Sequence, residues 1–348
     1  MPARALASIV AYERAWRQRK LFLTLLLAAI LALVCIDLVL GPARLSWPAL
    51  WQALSGSRAS DPTLEVIVWQ IRLPQALMAV VVGAALGLAG AEMQTVLNNP
   101  LASPFTLGVS SAAALGAALT LVFNWQLPWV PIQYVLVLNA FVLALLCAFL
   151  LDAVARRARI GTAGIVLFGI ALVFTFNALL SLVQLTASAA ALQDLVFWMM
   201  GSLERSDWGK LAMMSAALLA VLPFAMRNAW QLTALRFGDD RAASFGVDTQ
   251  RIRRGALLRV SVLAALAVAL VGVIGFIGLV APHIARKLWG EDHRWYLPAS
   301  ACIGSAILVC ASVAAKLIGT HTVIPVGIVT TLVGIPFFIV VLMRRTVQ

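Results

Sequence analysis

The chain has 348 residues, 62% of them hydrophobic and 11% charged, where a soluble domain carries about 25% charged residues; a soluble globular fold is excluded. Its apolar runs reach the roughly 20 residues that span a bilayer as a helix, and they are continuous instead of alternating in polarity, which excludes a transmembrane β-barrel. The net charge of +12 clusters at the ends of those runs, so it marks topology and not a nucleic-acid partner.

Hydropathy predicts an all-α polytopic membrane protein forming one transmembrane domain over 1–348. Ten spans follow in chain order at 21–40, 73–93, 105–123, 132–152, 161–186, 211–226, 257–273, 276–288, 298–318 and 324–343. The first follows a basic N-terminus. No small-residue cleavage site comes after it, so it reads as a retained span and not a signal peptide. The second contains "GAALGLAGA" (Gly83–Ala91), whose small residues let helix backbones approach closely. The stretch "NNPLASPFTLG" (Asn98–Gly108) then interrupts two apolar flanks. Pro100 and Pro104 cannot continue a helix, and Asn98 and Asn99 suit its end.

With ten spans both termini share one side. That side holds Arg4, Arg14, Arg17, Arg19, Lys20, Arg156, Arg157, Arg159, the arginines of 227–256, Arg286, Lys287, Arg294, Arg344 and Arg345. The other holds only Arg44, Arg58, Arg72, Arg205, Lys210 and Lys316. The positive-inside rule therefore places both termini in the cytoplasm. Trp47, Trp51, Trp69, Trp125, Trp129, Trp230, Trp289 and Trp295 lie near span ends, as an interfacial belt requires.

A search for chemistry returns little. No phosphate loop exists; the only Gly-Lys pair, Gly209-Lys210, is followed by Leu211. His283, His293 and His321 are too scattered for a metal site, and Cys35, Cys147, Cys302 and Cys310 lack ligand spacing. The chain is therefore not expected to be an enzyme or to hydrolyse ATP. Ionisable groups inside spans usually carry function. Here only Asp37 and Glu92 lie in or near apolar runs, with no basic partner nearby in sequence. The path reads as neutral, which favours a large solute moved by an external motor.

Two features concern architecture. "RLPQALMAVVVGAALGLAGAEMQTVLNNPLASP" and "RRGALLRVSVLAALAVALVGVIGFIGLVAPHIAR" share a layout and start on opposite faces, as an inverted repeat does. The loop 227–256 keeps apolar residues at helical spacing in "LTALRF" and "RAASF". It predicts two short amphipathic helices joined at Gly238-Asp239-Asp240, a docking surface on the cytoplasmic side.

The blocks "RLPQ", "GAALGLAGAEMQ", "NNPLASPFTLGVSS", "FWMMGSL", "RFGDDRAASFGVD", "GFIGLVAPHIAR", "DHRWYLPAS" and "IPVGIVTTLVGIPFFIVVLMRR" occur in this order over 72–345. Together they resemble the permeases of bacterial ATP-driven importers for iron–siderophore complexes, haem and cobalamin. The resemblance implies a ten-helix protomer in the inner membrane that works as a homodimer. It also implies two cytoplasmic ATPase subunits, which hold the ATP and Mg, and a periplasmic substrate-binding protein. No cofactor is expected on this chain.

By the same resemblance Leu101, with Asn99 and Pro100 in its turn, faces Thr162 and narrows the path at the dimer axis. Leu232, Arg236, Gly238, Asp239, Arg241, Ala242 and Gly246 would form the segment seated on the ATPase. Arg72 and Lys316 would grip the binding protein, with Gln75 standing where a cobalamin relative has a second arginine. An iron complex, ferric siderophore or haem, is favoured as substrate over cobalamin or an oxyanion. A proton-coupled carrier using Glu92 is the alternative from another class, and it would have no need of the 227–256 loop.

Overall fold

The computed structural model describes residues 2–41, 45–55, 62–157, 162–319 and 324–345, and among them the chain is helical with no strand. Helix α1 (Pro2–Val39) carries the first span and extends back through the basic N-terminal segment. After α2 (Trp47–Ser55), α3 (Pro62–Val66) continues through a π-helical stretch, Ile67–Arg72, into α4 (Leu73–Val96). A 3₁₀ turn, Pro104–Leu107, leads to α5 (Val109–Phe123), then α6 (Ile132–Arg157), α7 (Thr162–Leu185) and α8 (Ala189–Met199). The chain goes on through α9 (Trp208–Arg227), α10 (Ala229–Leu235), α11 (Asp239–Ser244) and α12 (Thr249–Val271). It ends with α13 (Ile277–Trp289), α14 (His293–Ile318) and α15 (Val326–Arg345).

Each of the ten predicted spans holds one helix: α1, α4, α5, α6, α7, α9, α12, α13, α14 and α15. Among the described residues seven helical segments are long and apolar enough to cross a membrane, while α5, α13 and the apolar part of α15 (Val326–Phe337) are shorter. The fifth helix starts at Val109 and not at 105 because Gly108 turns left-handed, φ +88°, between the 3₁₀ turn and α5. Helix α8 was not anticipated. Ser188 caps it, its side chain accepting from the Ala191 N–H.

The centre of the bundle is α4, wrapped by α14, α12, α13 and α9. Its small residues explain the position. A Cβ at Gly83, Gly87 or Gly90 would collide with the backbone oxygens of Gly304, Ser300 and Gly278 respectively. With glycine there, α14 and α13 lie directly on α4, the close packing that replaces hydrophobic association within lipid. Ser305 adds a polar tie across that seam, donating to the Val80 carbonyl at 2.7 Å.

The two segments of the expected repeat each hold a long helix that ends in a break, but their layouts differ: the first, 72–104, holds α4 and the turn after it, and the second, 253–286, holds most of α12, the break at 272–276 and most of α13. In the second break Gly272 has φ +77° and Phe276, unusually for a bulky residue, φ +67°. Non-helical backbone at this depth is tolerated where protein buries it. Here Ser202 N–H donates to Val271 O at 2.8 Å and Gly327 N–H to Gly201 O at 3.2 Å, packing three chain breaks together.

Candidate functional site

Four polar constellations occupy the bundle: the turn after α4, the α10–α11 segment beside it, a buried ion pair within the spans, and a charged cluster joining α1 to α14.

The turn begins where Asn98, φ +45°, leaves the helix; asparagine tolerates this region better than most residues. Asn99 Oδ1 accepts from the Leu101 N–H at 3.0 Å, and Ser103 and Thr106 cap the 3₁₀ turn reciprocally. Leu101 and Phe105 are left exposed, while Ala102 and Leu107 are buried. Glycine at 169 lets Leu107 seat against α7, so the 3₁₀ turn rests on that helix. Thr162 starts α7; its side chain lies outside the described residues, and with it the expected contact to Leu101.

Helices α10 and α11 meet at Gly238, φ +96°, as the sequence predicts, though Asp239 and Asp240 belong to the first turn of α11 and not to the joint. Leu232, Leu235 and Ala242 are buried and seat the segment on the bundle. The outward apolar face consists of Trp230, read from the sequence as part of the interfacial belt, with Phe237 and Phe245, the last residues of "LTALRF" and "RAASF"; each is more than half exposed. The two phenylalanine rings stand edge to face at 6.5 Å. Arg241 and Gly246 are exposed beside them.

This segment holds the last turn of α4 by side chains. Arg236 donates to Asn98 Oδ1 at 3.3 Å and to Glu291 Oε1 at 2.6 Å. Arg253, at the start of α12, donates to the Val96 carbonyl at 2.9 Å and pairs with Asp239 at 3.0 Å, satisfying a carbonyl that the helix end leaves orphaned. His293 lies between Thr95 of α4 and Thr233 of α10, at 2.7 and 3.1 Å. The hydrogen bond from Arg236, with help from Arg286, holds the Glu291 carboxyl below the usual range.

Glu92 and Asp37, which have no basic partner nearby in sequence, find one across the bundle. Glu92, fully buried, accepts from Arg259 of α12 at 2.6 to 3.1 Å in a forked pair. Arg259 lies inside the predicted span 257–273 and was missed; an arginine at that depth was itself the signal. Asp37 likewise has partners, Lys316 at 2.7 Å and Ser312 at 2.7 Å. Arg72 donates to the carbonyls of Leu38 and Val39 at 2.5 and 2.9 Å, its guanidinium lying against Gly41. The expected docking residues thus do converge, with Gln75 and Lys316 lining one small cleft. Arg72 and Lys316, however, point into the protein, 5% and, for the Lys316 side chain, 7% exposed.

The chain is thus a bundle of membrane-length helices whose central helix ends in a turn gripped by a peripheral helix pair. The FecCD transport family matches residues 27–344. The chain is 34% identical to the hemin transport system permease protein HmuU of Yersinia pestis over 331 residues, 95% of this chain and 98% of that one. It is 35% identical to the vitamin B12 import system permease protein BtuC of Serratia proteamaculans over 347 residues, 99% of this chain and 98% of the other. A solved inward-facing ABC transporter of metal-chelate type matches with TM-score 0.82 at 29% identity, covering 93% of this chain and 99% of its own. The chain belongs to the FecCD transport family: it is a permease of an ABC importer.

Proposed function

We propose that this permease moves an iron complex, ferric siderophore or haem, from periplasm to cytoplasm across the inner membrane. It works as a homodimer with two cytoplasmic ATPase subunits and a periplasmic binding protein. The observation that carries the coupling half is the exposed Trp230–Phe237–Phe245 face on the α10–α11 segment. Three large apolar side chains beside a basic residue need a protein partner or the membrane surface to cover them; a partner is the reading taken here, since a self-contained carrier has no use for such a face. Leu101, with Asn99 and Pro100, narrows the exit together with Thr162. The likeness to HmuU supports haem; the likeness to BtuC over nearly the whole chain favours cobalamin as the second reading. Uptake into proteoliposomes holding the permease, its ATPase and its binding protein, with haem, ferric siderophores and cobalamin offered separately, decides among them. Cobalamin uptake without iron-complex uptake overturns the first reading.

A further inference from the structure

Of the side chains that grip the last turn of α4, one is sealed inside the chain. His293, the first residue of α14, is 1% exposed. Its Nε2 lies 2.7 Å from Thr95 Oγ1 and its Nδ1 3.1 Å from Thr233 Oγ1. Its backbone N–H donates to the same Thr233 hydroxyl at 3.0 Å. Nδ1 also faces the Glu291 carbonyl at 3.0 Å; a carbonyl only accepts, so Nδ1 carries the proton, shared between that oxygen and Thr233 Oγ1, and Nε2 accepts from the Thr95 hydroxyl. The Tyr296 ring stands edge-on to the imidazole at 5.1 Å and shuts the site. The neighbouring link through Arg236 and Glu291 is different in kind, because the Glu291 side chain is 46% exposed and open to screening by water and salt.

We propose that His293 is a positioning residue that fastens α10 to the end of α4, so that α10 and the turn at Asn98–Leu101 move as one body. The inference rests on the coupling reading above and deepens it. Only two residues, Val96 and Leu97, separate Thr95 from Asn98, where the chain turns away from the helix. A displacement imposed on the exposed face of α10 reaches Thr233, crosses the imidazole to Thr95 and arrives at the turn that carries Leu101. The rim contacts of Arg236 can break and re-form during that motion. The buried link cannot do so as freely: parting from Thr95 leaves Nε2 unpaired away from water, although Nδ1 would keep the Glu291 carbonyl.

The test uses Thr233→Val and Thr95→Val, which remove one hydroxyl each at nearly constant shape, so folding is retained where His293→Ala could collapse the site. Hydrogen exchange is followed by mass spectrometry on the permease co-purified with its ATPase subunits in nanodiscs. A link in series predicts that Thr233→Val raises exchange at 98–102 about fivefold, the factor of one net hydrogen bond, although the substitution is on α10. The double variant should be no worse than the worse single one. In wild type, Mg-ATP with vanadate should alter exchange at 98–102. In Thr233→Val it should not, while ATP hydrolysis continues. Exchange that rises only over 229–235, or losses that add in the double variant, overturn the inference. So does a turn that answers nucleotide equally in wild type and variant. A wild-type turn that ignores nucleotide overturns the coupling reading, and this inference with it.

Discussion

Arg259 and Glu92 stand 167 positions apart in the chain and meet as a forked, buried ion pair that ties α12 to α4. Their proximity separates two accounts of Glu92. A proton carrier needs that carboxyl free to cycle; a structural pair needs it permanently engaged. Glu92→Gln should leave Arg259 uncompensated and destabilise the protein by about 3–5 kcal/mol, whereas replacing both partners by apolar residues of similar volume should recover most of the loss. Thermal unfolding in one detergent checks this. A Glu92→Gln protein of unchanged stability that has lost uptake would return Glu92 to a transport role.

The seam between α4 and α14 gives a second expectation. Gly87→Ala pushes a methyl group into the Ser300 carbonyl, and overpacking of this kind costs about 1–3 kcal/mol. Melting should fall accordingly. An unchanged melting temperature would show that the two helices do not approach as closely as described.

Gly238 is sensitive for another reason. Nothing lies within 4 Å of where its Cβ would be, yet its φ is +96°, a conformation that β-branched residues resist. Gly238→Val should therefore leave the protein in the membrane while re-aiming α11 and the Phe237–Phe245 face. ATP hydrolysis by the partner subunits should persist with transport reduced at least tenfold. Normal transport in reconstituted vesicles removes Gly238 from the coupling assignment.

The spans, the break after α4 and the Gly238 joint were legible because they are local: apolar length, proline, and glycine at a helix end. The partners of the charged residues were not. Asp37 meets Lys316 and Glu92 meets Arg259 only after the chain has crossed the bilayer several times. Burial reads equally poorly from one chain. Leu232 and Phe237 are both apolar and five residues apart, yet the bundle covers the first and leaves the second 58% exposed. Motif likeness likewise placed Arg72 and Lys316 in one neighbourhood but said nothing of their direction, which Asp37 and the carbonyls at the end of α1 decide.

Acid should loosen the rim around Arg236. Its hydrogen bond lowers the Glu291 pKa, so the stabilisation is fully present above the ordinary glutamate value of about 4.3. It is lost as pH falls through the lowered folded value. With the Glu291 side chain 46% exposed, the pair contributes at most about 1 kcal/mol. The stability difference between wild type and Glu291→Gln should therefore be small at pH 7 and vanish in strong acid. A difference that grows on acidification would contradict the pairing.

The last expectation concerns delivery of the ligand, where burial changes what Arg72 can do. Arg72 donates to Leu38 O and Val39 O beside a buried Asp37–Lys316 pair, so its first effect is on the end of α1. Removing the donor in Arg72→Gln leaves the Leu38 carbonyl without this partner, while Val39 O keeps the Leu45 N–H at 3.3 Å, and should cost about 1–3 kcal/mol. Charge at an interface acts chiefly on encounter rate. A role in docking therefore predicts slower association of the periplasmic binding protein with Arg72→Gln permease in nanodiscs. It also predicts a shallower dependence on salt, with the two rates converging once screening is complete. Reduced stability with equal association rates and equal salt slopes would make Arg72 a clasp for α1 alone.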